Sequence, residues 1–286
     1  MKYTEKRQDF QRTIRTLRCL MVFCTLFVAR TIAQEIPWPT PAAAPEVLVG
    51  LQAGLESYDR FFSPLQSISL FAGSRSRAGT FIGRVSAGQR ADHQGFQAEA
   101  ENYPILGDRS YAYLGYAWGS GDPFARHRGG VEYFTALPAA FEVSGGMRVY
   151  QFHDRRTVVL GTGTLARYTG NFWFSGRPYI SVNLRRPAVS ATLAGRYYFG
   201  EKEEFWFARI GAGFTPDERS TLTATGMPGI EVFTLHAQSV GGGVQALLAP
   251  RLFGMLDVSL TRQEVAFRRG TYVVNASLLC GIRFSR

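Results

Sequence analysis

Apolar and polar residues alternate in one short stretch after another, from about Val47 to Phe284. In the clearest stretch, the odd-numbered positions from Val189 to Phe199 carry the apolar face, and Ser, Thr, Ala, Arg and Tyr occupy the even-numbered positions. A period of two places alternate side chains on opposite faces of a β-strand, whereas an amphipathic helix needs a period of 3.6. The pattern therefore predicts an all-β fold.

The number and length of these stretches favour a membrane barrel over a water-soluble sheet. Strands of about ten residues with one apolar face suit a barrel in which lipid covers that face. Fourteen candidate strands can be placed, at 47–58, 65–74, 79–90, 93–103, 109–119, 128–136, 140–152, 157–167, 171–181, 188–199, 203–214, 231–248, 251–261 and 271–284. Two of them are weak, so twelve strands are the alternative. We predict a transmembrane, antiparallel, up-and-down β-barrel.

The first 33 residues have the composition of an export signal. Residues 1–18 are polar and basic, and residues 19–29 form an apolar segment of eleven residues. Such a segment is too short to span a bilayer as a helix, which takes about 20 residues. With small residues at Thr31 and Ala33, the pattern predicts a secretory signal peptide over residues 1–33 that is cleaved after Ala33. An uncleaved anchor and a misassigned start codon are the alternatives.

Charge and proline content indicate how the chain after residue 33 is organised. The formal net charge of the full chain is +10, but residues 1–33 hold seven basic and two acidic residues, which leaves +5. Half of the excess positive charge is therefore assigned to targeting, which argues against a nucleic-acid partner. Residues 34–46 contain four prolines, which predicts an extended periplasmic lead-in because proline cannot donate to a sheet ladder. Residues 47–286 then form one barrel domain.

The lengths of the predicted connections indicate an orientation. The even-numbered connections are all short, whereas the longest three are odd-numbered and lie at 120–127, 182–187 and 215–230. Barrels of the bacterial outer membrane have short periplasmic turns and longer outside loops. We therefore expect both termini in the periplasm and the barrel in the outer membrane of a Gram-negative cell.

Strand parity predicts a charged lumen. In the strand at 140–152, parity turns Phe141 and Val143 toward lipid and Glu142 and Arg148 into the lumen. The same parity turns six further charged side chains inward: Glu99, Glu101, Glu132, Arg177, Arg196 and Arg209. Because isolated charges away from water are costly, we expect paired charges that fill the lumen of a structural, non-enzymatic barrel. A small-solute channel lined by the same charges is the alternative.

Aromatic residues cluster at strand ends, which indicates girdles at the lipid interfaces. The clusters are Phe61-Phe62, Tyr111 with Tyr113, Phe172-Trp173-Phe174, Tyr197-Tyr198-Phe199, Phe205-Trp206-Phe207 and Tyr272. The last strand has apolar residues on one parity from Tyr272 to Phe284, as expected of a terminal strand that the barrel-assembly machinery reads. Cys280 lies on that parity and is expected to face lipid as a small hydrophobic residue.

Catalytic and metal-binding patterns are weak throughout. A lipid- or lipopolysaccharide-modifying enzyme, the second alternative function, would need a nucleophile beside a histidine. His236 and Ser239 are one such pair, but they have opposite parity and no recognisable motif surrounds them. Four scattered histidines lack metal-ligand spacing, so we predict no metal, no cofactor and no catalytic residue. The predicted outside loop at 215–230 offers external candidates for ligand contact: Asp217, Glu218 and Arg219.

Several segments together form a recognisable set that keeps order and spacing. They include GVEYF at 130–134, FEVSGGMR at 141–148, the run TGTLARYTGNFWFSGRP at 162–178, RYYF at 196–199 and GAGFTPDE at 211–218. As a set they resemble the YaiO family of outer-membrane β-barrel proteins. The resemblance extends from about Val47 to the C-terminus. It implies a Gram-negative outer-membrane barrel and does not imply an activity.

The expected partners follow from this location. We expect a monomer that contacts outer-membrane lipid and, during biogenesis, the barrel-assembly machinery. Pairs of arginines at predicted strand ends could meet lipopolysaccharide phosphates, because the guanidinium fork matches phosphate. These pairs are Arg126 with Arg128, Arg155 with Arg156, Arg185 with Arg186, and Arg268 with Arg269. Ordinary solvated loop charge is the alternative for all of them.

Overall fold

The computed structural model describes residues 46–153, 157–182, 187–200, 204–222, 228–265 and 268–285. The predicted signal peptide and the lead-in up to residue 45 lie outside the described residues. In the described ranges, no helix has both the length and the apolar character needed to cross a membrane.

Fourteen strands make up the described fold. They are β1 (Glu46–Tyr58), β2 (Leu65–Ser76), β3 (Gly79–Arg90), β4 (His93–Gly107), β5 (Ser110–Gly119), β6 (His127–Leu137), β7 (Phe141–Gln151), β8 (Thr157–Thr169), β9 (Phe172–Ser181), β10 (Val189–Tyr198), β11 (Phe205–Leu222), β12 (Pro228–Ala249), β13 (Leu252–Val265) and β14 (Arg268–Ser285). The prediction of fourteen strands is confirmed, and the alternative of twelve is wrong.

The strands close into a single antiparallel barrel. Each strand pairs with its sequence neighbours, and β1 pairs with β14 from Leu48 opposite Ser285 to Tyr58 opposite Asn275. Closure leaves no free sheet edge, so the backbone N–H and C=O groups of the wall are bonded within the sheet. The predicted up-and-down β-barrel is therefore confirmed. We call the end where β1 begins and β14 finishes the near end, and the opposite end the far end.

The hairpin of β11 and β12 differs from the sequence prediction. The segment 215–230 was expected to be an outside loop, but β11 continues to Leu222 and β12 begins at Pro228, with Asp217 opposite Phe233. Pro and Asp in this segment indicated a turn, yet a longer ladder satisfies the same backbone groups. The loop prediction is wrong. The side chains of Asp217, Glu218 and Arg219 lie outside the described part of the structure.

The wall is apolar outside and charged inside. Leu193 is 57% exposed and Ile210 is 55% exposed on the outer face, whereas the Glu132 side chain is completely buried and Glu142 nearly so. A water-soluble fold buries large apolar side chains and exposes carboxylates. This inverted distribution fits a barrel whose outer face contacts lipid.

Six of the fourteen aromatic residues expected in the lipid girdles face inward. Phe172, Phe174, Tyr197 and Trp206 are exposed on the outer face, as predicted. Six others contact lumen residues instead: Tyr111, Tyr113, Trp173, Tyr198, Phe205 and Phe207. Consecutive aromatic residues in a strand point to opposite faces, so a run such as 172–174 cannot place every ring in lipid. The interior of the near end is therefore rich in aromatic rings.

Candidate functional site: the barrel lumen

Glu132 on β6 is the centre of one cluster of lumen charges. Its carboxylate accepts hydrogen bonds from Arg148 at 2.5 Å, from Arg177 at 2.8 Å and from the Ser144 hydroxyl at 2.5 Å. Arg177 lies on β9, three strands away from β6, so its side chain must cross the concave inner side of the wall to reach Glu132. Two arginines on one carboxylate leave the cluster with a net positive charge.

Glu99 on β4 is the centre of a second cluster. One carboxylate oxygen accepts from Arg84 at 2.9 Å, and the other contacts Arg128 of β6. Arg128 is one of the arginines considered for contact with lipopolysaccharide phosphate, but parity turns it inward and it pairs with Glu99 instead. Of the other paired arginines, Arg155, Arg156, Arg185 and Arg186 lie outside the described residues.

The remaining predicted lumen residues have varied contacts. Glu101 accepts a hydrogen bond from Tyr103 at 3.1 Å, and Glu142 lies 3.5 Å from the Tyr111 hydroxyl. Arg196 stacks its guanidinium over Trp173, 4.7 Å from the ring centroid. The structure thus joins Glu132, Arg148 and Arg177 into one cluster, and Glu101, Glu142 and Arg196 form no ion pair with it.

Arg209 forms a separate ion pair on the opposite side of the lumen. Both of its terminal nitrogens donate to Asp257 on β13, each at 2.8 Å. Sequence reasoning identified Arg209 but missed Asp257, although the alternation Leu256, Asp257, Val258 gives its facing clearly. Arg84, Arg90 and Arg128 were missed as lumen residues for the same reason: parity was not followed along every strand.

The two sides of the lumen differ in side-chain size. On β3 to β9, the charged wall carries the Glu99 and Glu132 clusters: Arg84, Glu99, Arg128, Glu132, Arg148 and Arg177. On β10 to β13, the small-residue wall carries Ser, Thr and Gly at lumen positions: Ser190, Thr192, Gly211, Ser239, Gly241, Gly243, Ser259 and Thr261. At Gly243 a Cβ atom would lie 1.9 Å from the Leu256 carbonyl oxygen, so no larger residue fits there without a shift.

Three cavities follow one another through the lumen. The far cavity has a volume of about 600 Å³, the middle cavity about 320 Å³ and the near cavity about 170 Å³. Arg128 and Tyr150 line both the far and the middle cavity, and Arg84 lines both the middle and the near cavity. The three cavities therefore form a series from the far end to the near end, in which neighbours share lining side chains.

The connection between β5 and β6 folds into the far cavity. The Ser120 N–H donates to the Phe96 carbonyl at 2.8 Å, and the Ser120 hydroxyl accepts from the Phe96 N–H at 3.0 Å. The His153 ring lies 3.0 Å from the Phe124 carbonyl oxygen. These contacts hold the connection against β4 and the end of β7, and they turn the Phe124 ring toward the cavity.

The pair considered for catalysis, His236 with Ser239, lies on opposite faces of the barrel wall. His236 packs against the rings of Phe214 and Tyr272, while Ser239 lines the far cavity. Their opposite parity therefore keeps them on opposite faces. Among the described residues, no group of three or more His, Cys, Asp or Glu side chains could hold a metal ion. Cys280 is exposed and not in a disulfide.

Comparisons with known proteins agree with the fold. A family model described as "YaiO membrane beta barrel domain" matches residues 47–218. Among curated proteins, no sequence matches this chain.

Among solved structures, similar ones include a KdgM porin, at 11% identity over 82% of this chain and 98% of the porin, with a TM-score of 0.43. The CymD monoaromatic hydrocarbon channel is 9% identical over 84% of this chain and 88% of its own, with a TM-score of 0.48. The translocator domain of autotransporter NalP from Neisseria meningitidis is 12% identical over 99% and 97%, with a TM-score of 0.45. Similarity this low carries no argument about function.

Proposed function

This chain belongs to the YaiO family of membrane β-barrels, and from that premise we propose that it is a narrow conduit for small polar solutes. The observation that carries the proposal is the series of three adjoining cavities along the lumen. A barrel that served only as a structural wall would not need a series of cavities along its lumen.

The chemistry of the lining supports polar solutes. Carboxylates, guanidinium groups and tyrosine side chains surround the middle cavity, and hydroxyl and amide groups line much of the far cavity. Because most of the lumen charges are paired, the lining offers hydrogen bonds without a strong field of one sign. A solute crossing this lumen would exchange hydrogen bonds with water for hydrogen bonds with the wall.

A closed structural barrel is the second candidate. It is favoured by the two salt-bridge clusters, which occupy the lumen side of β3 to β9, and by the aromatic rings inside the near end. The two candidate functions imply the same fold. They differ only in whether ions and solutes pass through the cavities.

The location and biogenesis of the barrel are part of the proposal. We propose an outer-membrane monomer with a cleaved signal peptide, periplasmic termini and lipid or lipopolysaccharide around its wall. The apolar outer face supports a lipid environment. The longest hairpin, β11 with β12, lies at the far end, which supports an outward far end and periplasmic termini because outside loops are longer in such barrels.

Single-channel recording of the refolded protein in planar bilayers tests the conduit. We expect stepwise currents, because the adjoining cavities should hold water. Folding is checked independently by the shift in gel mobility on boiling. A folded protein that leaves the bilayer silent would favour the closed structural barrel. Mass spectrometry of phospholipid and lipid A after incubation covers the enzymatic alternative, for which altered lipid would be the sign.

A further inference from the structure

Arg90 extends into the far cavity without an acidic partner. One of its terminal nitrogens donates to the Tyr58 hydroxyl at 3.2 Å, and its Nε atom is buried without a hydrogen-bond partner. Among the acidic side chains that the structure describes, none is within ion-pair distance of Arg90; Glu56 reaches it only through the Tyr58 hydroxyl. The guanidinium also lies 5.7 Å from the Tyr58 ring centroid. Because its positive charge has no carboxylate beside it, this site favours an anion over a cation.

Most other lumen arginines already have a carboxylate partner. Five of them pair directly with carboxylates: Arg84 and Arg128 with Glu99, Arg148 and Arg177 with Glu132, and Arg209 with Asp257. Arg196 is without such a pair but stacks on Trp173 and Phe205 and does not line the far cavity. Arg90 therefore stands out as the positive charge that the far cavity offers to a ligand.

An aromatic ring lies close to Arg90 on the same inner face. Phe124 packs over Gly88 so closely that a Cβ atom on Gly88 would lie 3.0 Å from the Phe124 Cζ atom. Gly88 and Arg90 are two residues apart on β3, and they share a face about 7 Å apart along the strand. The cavity continues from Phe124 to the buried apolar side chains of Phe152 and Leu160.

Neutral hydrogen-bonding groups complete the cavity on the small-residue wall. They are the hydroxyl groups of Ser190, Thr192, Ser239 and Thr261 and the amide group of Gln263. The amide group of Gln97 lines the cavity from β4 on the charged wall. The far cavity thus combines one cation without a carboxylate partner, an apolar aromatic side and a neutral polar side. Its volume of about 600 Å³ lies within the range of small-molecule sites, about 300–1,000 Å³.

We propose that the far cavity binds a small amphipathic monoanion, of the chemical class of aromatic carboxylates. The carboxylate would accept hydrogen bonds from the Arg90 guanidinium, whose fork matches two carboxylate oxygens. The ring would pack against Phe124. This site deepens the proposed conduit by naming a solute class, yet binding in the cavity does not require conduction.

Titration calorimetry of the refolded full chain in detergent tests the site, with benzoate as the probe. Two comparison compounds separate the two halves of the recognition: benzamide keeps the ring without the charge, and acetate keeps the charge without the ring. We expect saturable benzoate binding, with each comparison compound weaker by about tenfold or more, since one lost charged or apolar contact is worth that factor. Benzamide binding as tightly as benzoate would overturn the proposal.

Substitutions locate the site within the lumen. Arg90→Gln should weaken benzoate binding about tenfold, whereas Arg196→Gln removes an equal charge elsewhere in the lumen and should leave it unchanged. Arg90→Lys keeps the charge and should retain most of the affinity for benzoate. This variant and the gel-mobility shift together control for folding. Unchanged benzoate affinity in folded Arg90→Gln would also overturn the proposal. If the protein binds benzoate but gives no current in bilayers, the conduit is rejected and the binding site is retained. If it gives currents but does not bind benzoate, the binding site is rejected and the conduit is retained.

Discussion

The two walls of the lumen differ in how their side chains fill the space inside the barrel. The charged wall fills its side with long side chains that bond across two or three strands, as Arg177 of β9 does with Glu132 of β6. The small-residue wall uses Ser, Thr and Gly, and the ion pair of Arg209 with Asp257 is its main charged contact among the described residues.

This difference indicates where space and where rigidity lie. Long paired side chains occupy volume and tie strands together through the lumen. Short side chains leave the volume free, and the far cavity is lined on one side by Ser190, Thr192, Ser239 and Thr261. We infer that the lumen contacts that stabilise the barrel lie mainly on the charged wall. A solute that crosses the lumen would pass along the small-residue wall.

Glu132→Gln tests the charged wall and should have the largest effect. The substitution removes the charge that holds Arg148 and Arg177 and leaves two guanidinium groups in the interior without their carboxylate. We expect the free energy of unfolding to fall by about 3–5 kcal/mol, as for other broken buried ion pairs. Urea titration of the refolded barrel in lipid vesicles measures it. Glu142→Gln, on the same face but without an ion pair, should cost clearly less, and equal losses for the two would contradict the role of the cluster.

Ser239→Trp tests the passage along the small-residue wall. A large ring at this position would enter the far cavity, which Ser239 lines, so single-channel conductance should fall several-fold. The matched control is Val240→Trp, because Val240 is the next residue, is 53% exposed and faces outward. Equal conductance in the two variants would show that current, if present, follows another route.

Asp257→Asn tests the ion pair of the small-residue wall. Both partners are partly exposed to the lumen, with side-chain exposures of 36% for Arg209 and 19% for Asp257. Solvent screening reduces the value of such a pair, so the loss of unfolding free energy should be about 1 kcal/mol. The same urea titration measures it. A loss as large as that of Glu132→Gln would remove the proposed contrast between the walls.

Ser259→Ala should have the smallest effect of the series. The Ser259 hydroxyl contacts the Ser277 hydroxyl of β14, and water in the lumen can replace a lost neutral hydrogen bond at a site of this kind. We expect a change of about 0.5–1 kcal/mol or less in the free energy of unfolding. A loss of several kcal/mol would show that the small-residue wall is also rigidly bonded.

Much of the fold could be predicted because period two is a local property. The positions of all fourteen strands followed from alternation, and most boundaries moved by only a few residues. The hairpin of β11 and β12 was the exception, because Pro216 and Asp217 indicated a turn that cross-strand pairing overrides. The facing of Glu132 and Arg148 followed from the same alternation, whereas Asp257 was missed by incomplete use of the rule.

The sequence by itself determined the solvent on each side of the wall, because the parity of a strand sets which side chains share a face. It could not determine which inward charges meet, because Arg177 and Glu132 lie 45 residues apart and only barrel closure and strand register bring them together. The cavities are also a tertiary property, since they are the space left after side chains from many strands have packed. Alternation is a local property of the sequence, whereas the distances between side chains across the lumen are set only when the barrel closes.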